Sequence, residues 1–105
     1  MSDIRIALCT CPDMASAQHI AQQIIAQRLA ACVNILPGIT SLYWWDDAVQ
    51  QDNEVQLVIK TCDNALAELS KTVHQAHPYD TPEWLVLTAV DASEQYAQWM
   101  RSYLK

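Results

Sequence analysis

The run CVNILPGITSLYWW, residues 32–45, sets the hardest limit on the fold. It is β-rich and is interrupted only at Pro37-Gly38, where a bulge or bend is expected rather than a helix. A second β-rich run, EVQLVIKT at 54–61, follows Asp46-Asp47-Ala48, which reads as a hairpin turn. Fully extended, residues 32–45 would reach roughly 45 Å, at about 3.3 Å per residue. A compact domain of about 100 residues has a radius of gyration of only about 13 Å. The hairpin must therefore bend sharply or project. Its far end points Tyr43 and Trp45 to one side and Leu42 and Trp44 to the other. Two apolar faces on a projecting ribbon make a large exposed patch, and burial against other copies of the chain removes it. The spacing thus predicts a homo-oligomer packed through Tyr43, Trp44 and Trp45; the alternative is a monomer whose hairpin folds back on itself.

The remaining elements follow from periodicity. IRIALC, residues 4–9, alternates as a strand, with Ile4, Ile6 and Leu8 on one face and Arg5, Ala7 and Cys9 on the other. Pro12 ends it, and Asp13 is placed to cap a helix running to about Ala30, with Ala17, Ala21, Ile24 and Leu29 on its apolar stripe. Val55, Leu57 and Ile59 share one face of their strand; Asp63 is expected to cap a second helix with Leu66, Leu69 and Val73 inward. WLVLTAV, 84–90, is nearly all apolar and reads as a buried central strand. Asp91 or Ser93 caps a last helix carrying Tyr96, Trp99 and Tyr103 on one stripe, with Met100 and Leu104 beside it. The order β-α-β-β-α-β-α predicts an α+β domain over residues 1–105. It is a ferredoxin-like βαββαβ antiparallel sheet with an extra C-terminal helix and a long β-hairpin.

Charge narrows the partners. The net charge is -6, and the six Lys and Arg residues are scattered. A phosphate backbone needs converging cations, so nucleic acid and an anionic membrane surface are not expected partners. No run approaches the roughly 18 apolar residues of a membrane span. The N-terminal MSDIRIALC enters an alternating pattern with no cationic segment ahead of an apolar one, which points to a cytoplasmic protein.

Chemistry concentrates in two places. Cys9 and Cys11, one residue apart on a strand, point to the same face. Two thiolates so placed suit a soft ion such as Cu(I), although paired metal cysteines more often have two to four residues between them; two packed cysteines at a strand end is the plainer alternative. The second place is HPYDTPEW, residues 77–84. Pro78 stops the helix after His77, Pro82 fixes the approach to the next strand, and the rigid segment presents His77, Tyr79 and Glu83. His77 is either a neutral imidazole ligand or a partner for the last carbonyls of its helix.

LCTCPD (8–13), RLAACVNILPGITSLYWW (28–45), EVQLVIKT (54–61) and HPYDTPE (77–83) together resemble the CutA divalent-cation-tolerance family, over about residues 5–103. The resemblance implies a ferredoxin-like fold related to the PII signalling proteins, a homotrimer with hairpins wrapping neighbouring subunits, tolerance to copper and other divalent metals, and no established catalysis. It also implies that Cys9 is a metal ligand; Cys11 has no such backing and enters as a helper. Two departures stand out. Asp47 occupies a turn position that usually carries glycine, and Ala76-His77 stands where some bacterial members have two histidines. His74, three positions before His77, is a possible substitute on the same helix face.

Glu54 and Lys60 lie six apart on one strand and so share a face. With Tyr79 and Glu83 they are expected to line an inter-subunit cleft, which by analogy with PII proteins would take a small anion or metabolite. Two functions therefore compete: a copper or divalent-cation binder using Cys9, His77 and Cys11, and a PII-like sensor or scaffold with incidental metal binding. No nucleophile–base pair, glycine-rich phosphate loop or metalloprotease motif supports an enzyme.

Overall fold

The computed structural model describes residues 3–105. Strand β1 (Ile4–Cys11) leads into helix α1 (Met14–Ala26), and the hairpin follows as β2 (Cys32–Trp45) and β3 (Ala48–Cys62). A 3-10 turn (Asp63–Ala65) opens helix α2 (Leu66–Ala76), before β4 (Leu85–Thr88) and α3 (Glu94–Tyr103). The sheet order is β2-β3-β1-β4, and every neighbouring pair is antiparallel. This is the expected α+β, ferredoxin-like sheet with a C-terminal helix added.

Alternation along the strands decides the layers. Ala7, Cys9 and Cys11 on β1 and Val55, Leu57 and Ile59 on β3 bury themselves against Ala17, Ile20 and Ile24 of α1 and Leu69 and Val73 of α2. The other face of β1 meets a different partner: Ile4 and Cys62 pack with Ala97 and Met100 of α3. Helices α1 and α2 thus cover one face, while α3 covers only the end of the other. Ile6 and Leu8 remain half-buried opposite Leu87 and Leu85.

The hairpin projects. The chain measures 45 × 26 × 23 Å, with a radius of gyration of 14.3 Å. The turn sits at Asp46 (φ 53°) and Asp47 (φ 59°), both left-handed, as a two-residue hairpin loop of matching twist requires. Aspartate tolerates that region better than most residues, which explains how the turn forms without glycine. The bulge falls between Leu36 and Ile39, where one extra residue is accommodated and Gly38 adopts φ 72°.

Four expectations change. Helix α1 ends at Ala26, not near Ala30. Arg28 takes φ 59°, its N–H reaches the Ile25 carbonyl, and the Leu29 N–H reaches Ile24. That double bond pattern is a Schellman terminator, built on arginine instead of glycine, and it turns Leu29 into the core. Residues 84–90 do not form a central strand. β4 is an edge strand, with Leu85 57% and Leu87 51% exposed. Asp63 makes no side-chain cap; it starts the 3-10 turn and lies 3.9 Å from Arg5. On α3, Ser93 provides the cap, and the buried stripe is Ala97 and Met100. Tyr96, Trp99 and Tyr103 pack ring against ring on the exposed side.

Candidate metal centre

Cys9 and Cys11 close β1 on its helix-covered face, and both are fully buried. His77 follows α2 directly, and its extended backbone (φ -77°, ψ 136°) swings the ring back under β1. One ligand atom from each of Cys9, Cys11 and His77 lies within 4.8 Å of the other two. Among the described residues, these are the His, Cys, Asp and Glu side chains that converge in this way. The two positions singled out in the sequence, 68 residues apart, form one cluster.

The ring of His77 has a fixed tautomer. Nε2 lies 2.8 Å from the Thr10 carbonyl oxygen and must donate to it. Nδ1 accepts the Tyr79 N–H at 3.1 Å. Burial holds the imidazole pKa below its ordinary 6.5, so the ring is neutral at pH 7, the form that ligates metals. An N–H anchored on a carbonyl is the usual outer support for a ligating histidine. The lone pair therefore sits on Nδ1, where it accepts the Tyr79 N–H; a metal held through this nitrogen would have to displace that bond. The alternative partner, the last carbonyls of α2, is not used by this side chain.

The thiols influence each other. A hydrogen bond from Cys9 to Cys11 pushes the Cys9 thiol far up, and burial adds to it; the same bond draws Cys11 down. Two sulfurs and one imidazole nitrogen suit a soft ion. The set lacks the six or more oxygens of a calcium or magnesium site. The residues thus fit a soft ion better than a hard divalent cation.

His74 does not join them. It is exposed, its Nδ1 lies 2.7 Å from the Ser70 carbonyl, and its ring stands edge-on to Trp84 at 5.8 Å. Helix α2 ends at Ala76, so the three-residue spacing to His77 does not put the two rings on one face.

A cleft of about 910 Å³ opens on the other side of the same strand end, between the hairpin and the 78–83 segment. Tyr43, Trp45, Asp52, Glu54, Tyr79 and Glu83 are among its walls. Tyr79 donates to Glu54 at 2.7 Å, and Tyr43 donates to Asp52. Thr10 donates to Glu83 at 2.8 Å, and the Gln56 amide reaches the same carboxylate at 3.2 Å. Burial and the Glu54 carboxylate raise the Tyr79 phenol well above its ordinary value. Glu54, Tyr79 and Glu83 therefore line one space within the single chain. Lys60 does not. It sits opposite Ile6 and Cys32, six residues up β3 from Glu54, a separation of about 20 Å at strand rise. Among the described residues, the cleft walls carry carboxylates and no basic side chain.

Thr10, Gln56 and Asp52 escaped the sequence reading. Thr10 alternates between two cysteines, so its side chain had to face away from them. Its partnership with Gln56 and Glu83 depends on strand register, which no local pattern carries.

The sequence profile described as CutA1 divalent ion tolerance protein matches residues 5–103. The chain is 45% identical over 103 residues to the divalent-cation tolerance protein CutA of Yersinia pestis (strain Pestoides F), covering 98% of this chain and 87% of that one. The structure of CutA from Synechococcus elongatus PCC7942 superposes with a TM-score of 0.95 at 39% identity, covering 100% of this chain and 93% of the other. A protein from Archaeoglobus fulgidus, described as the periplasmic divalent cation tolerance protein CutA, gives 0.94 at 27% identity, over 97% and 99%. With matching sequence across almost its full length and the same fold, the chain belongs to the CutA1 divalent ion tolerance family.

Proposed function

We propose that this protein confers cation tolerance by binding copper, with other soft or divalent ions as alternatives, at Cys9, His77 and Cys11, without catalysis. The observation that carries the reading is the convergence of three buried donors within 4.8 Å. A tolerance protein needs affinity and shielding, and a site sealed under α1 and α2 supplies both. The state of His77 suits binding: Nε2 is anchored on the Thr10 carbonyl, and the neutral ring keeps its lone pair on Nδ1.

The working assembly in this reading is a homotrimer. Leu42, Trp44, Trp45 and Val49 are 65%, 75%, 64% and 58% exposed on the projecting hairpin, and β4 offers an apolar edge. That much exposed apolar surface on a small chain marks an interface. The proposed compartment is the cytoplasm, where four free cysteines stay reduced. Among the described residues, no helix is long and apolar enough to cross a membrane. A chain of net charge -6 with scattered cations does not suit a nucleic-acid partner. The second reading, a PII-like sensor of a small anion in the cleft, is weakened by walls that carry carboxylates without a basic residue of this chain.

The test is anaerobic competition for Cu(I) with a chromophoric chelator, comparing the native protein with Cys9→Ser and His77→Ala. Loss of a ligand should weaken binding by about 100-fold or more. Equal affinity in all three proteins would make the cluster a packing feature and return the search to the cleft.

A further inference from the structure

We propose that the cleft between the hairpin and the 78–83 segment binds an organic polycation, a linear aliphatic amine with two or more ammonium groups. The site is separate from the metal centre and does not depend on it.

The cleft walls carry charge without counter-charge. Asp52, Glu54 and Glu83 bring three carboxylates to one space of about 910 Å³, and among the described residues no basic side chain lines it. Neutral donors hold each of them. Tyr79 donates to Glu54 Oε2 at 2.7 Å, and Tyr43 donates to Asp52 Oδ2. Thr10 and the Gln56 amide donate to Glu83 Oε1 at 2.8 and 3.2 Å. Among the described residues, the second oxygen of each carboxylate accepts no hydrogen bond. The ion pairs of the described residues lie elsewhere, at Arg5–Asp63, Arg101–Asp3 and Lys105–Glu68.

Glu54 separates this cleft from an ordinary solvated acidic face, because it is only 9% exposed. A carboxylate so covered is costly to leave without a cation beside it. Among the described residues, no fully covered side-chain oxygen lacks a partner, so the unbonded oxygen of Glu54 is reached from outside. At this residue the outside is the cleft.

The spread of the charges selects the ligand. A single metal ion needs converged donor atoms, and these carboxylates do not gather as Cys9, Cys11 and His77 do. Asp52 and Glu54 stand two apart on one face of β3, about 6.6 Å at strand rise. Charges so separated match ammonium groups joined by short methylene spacers. The rings of Tyr43 and Tyr79 stand in the same walls, where aromatic faces attract ammonium groups and cover methylenes. The volume falls in the range of about 300–1,000 Å³ that holds small organic ligands. A small anion would instead meet three like charges.

The experiment titrates spermidine into the native protein by calorimetry at about 0.1 M salt, where charges beyond about 10 Å are screened. Magnesium chloride and glutarate are the comparisons. Saturable binding of spermidine is expected, about tenfold or more tighter than magnesium, with no binding of glutarate. Glu54→Gln keeps an acceptor for Tyr79 and should weaken spermidine by about tenfold or more. Asp52→Asn, at an exposed position, should weaken it by about threefold or more and decides the question if Glu54→Gln fails to fold. Glu94→Gln, on α3 and outside the cleft, removes the same charge and should leave the affinity within about twofold. Magnesium bound as tightly as spermidine, or an equal loss in Glu94→Gln, would reduce the effect to general attraction toward a chain of net charge -6 and overturn the proposal. Tight Cu(I) binding without spermidine binding sinks the cleft site and leaves the metal reading standing. Spermidine binding by a protein with no Cu(I) affinity does the reverse.

Discussion

The end of β1 has two sides with opposite chemistry. Toward the helices it presents Cys9 and Cys11, dry and soft, beside a neutral His77. Toward the hairpin it presents Thr10, hydrogen-bonded to Glu83 in an open cleft of oxygen donors. Three consecutive residues thus separate a buried sulfur site from a wet carboxylate one, through nothing more than strand alternation. Thr10 joins the two, since its carbonyl holds the His77 ring while its hydroxyl holds Glu83. Under the proposed function, a chain with both kinds of donor at one strand end would sort ions by softness, since the sulfur side offers the ligands a soft ion prefers.

The sharpest way to break this comparison is to damage each face of the sheet separately. Leu57 is fully buried under the helices next to the cysteines. Leu57→Ala should cost about 2–5 kcal/mol of stability, measured by urea unfolding. Leu87, on the opposite face and 51% exposed, should behave differently. Leu87→Ser should change the stability of the isolated fold by under about 1 kcal/mol, but shift sedimentation toward smaller species. Equal destabilisation by the two, with no change in assembly, would mean that the open face carries no interface.

A smaller effect separates the two sides by ion type. Glu83→Gln removes a charge from the cleft and keeps a hydrogen-bond acceptor for Thr10. Cu(I) affinity should stay within about threefold of native, because the carboxylate is not among the converging ligands. A tenfold loss, about 1.4 kcal/mol, would show that Glu83 acts on the sulfur site through Thr10 and His77.

The same contrast explains what the sequence made legible. The hairpin, its bulge and the shared face of Cys9 and Cys11 were readable because each depends on local rules, alternation and Pro37-Gly38; the approach of His77 to the two cysteines, 68 residues away, was not. What failed depended on longer range. Arg28 ends α1 in a conformation normally left to glycine, so the helix looked longer than it is. The apolar run 84–90 looks the same whether a strand lies at the centre of one chain or at an edge awaiting another. Lys60 shares a face with Glu54, but strand rise alone carries it out of the cleft. On α3, small Ala97 and flexible Met100 took the buried stripe that the larger aromatics seemed to mark.

The smallest expected effect tests the wet side by itself. Tyr79 is 38% exposed, and its hydroxyl donates to Glu54, which is 9% exposed. Removing the hydroxyl in Tyr79→Phe leaves that carboxylate short of a donor, at a cost of about 1 kcal/mol. The pH dependence follows from the phenol. Its pKa is raised in the folded state by burial and by the Glu54 carboxylate, so folding favours the protonated form. The stabilisation is full below the ordinary tyrosine value of 10.0 and is lost as pH rises through the folded value above it. The gap in unfolding free energy between native and Tyr79→Phe should therefore hold steady from pH 6 to about 9 and narrow above pH 10. Cu(I) affinity should be unchanged throughout, since Tyr79 touches the sulfur site through its backbone N–H and through its ring against His77, both of which the substitution keeps. A gap that fails to narrow would remove the Tyr79–Glu54 bond from the energetics of the cleft. A parallel loss of Cu(I) affinity would instead show that the two sides of the strand are one site.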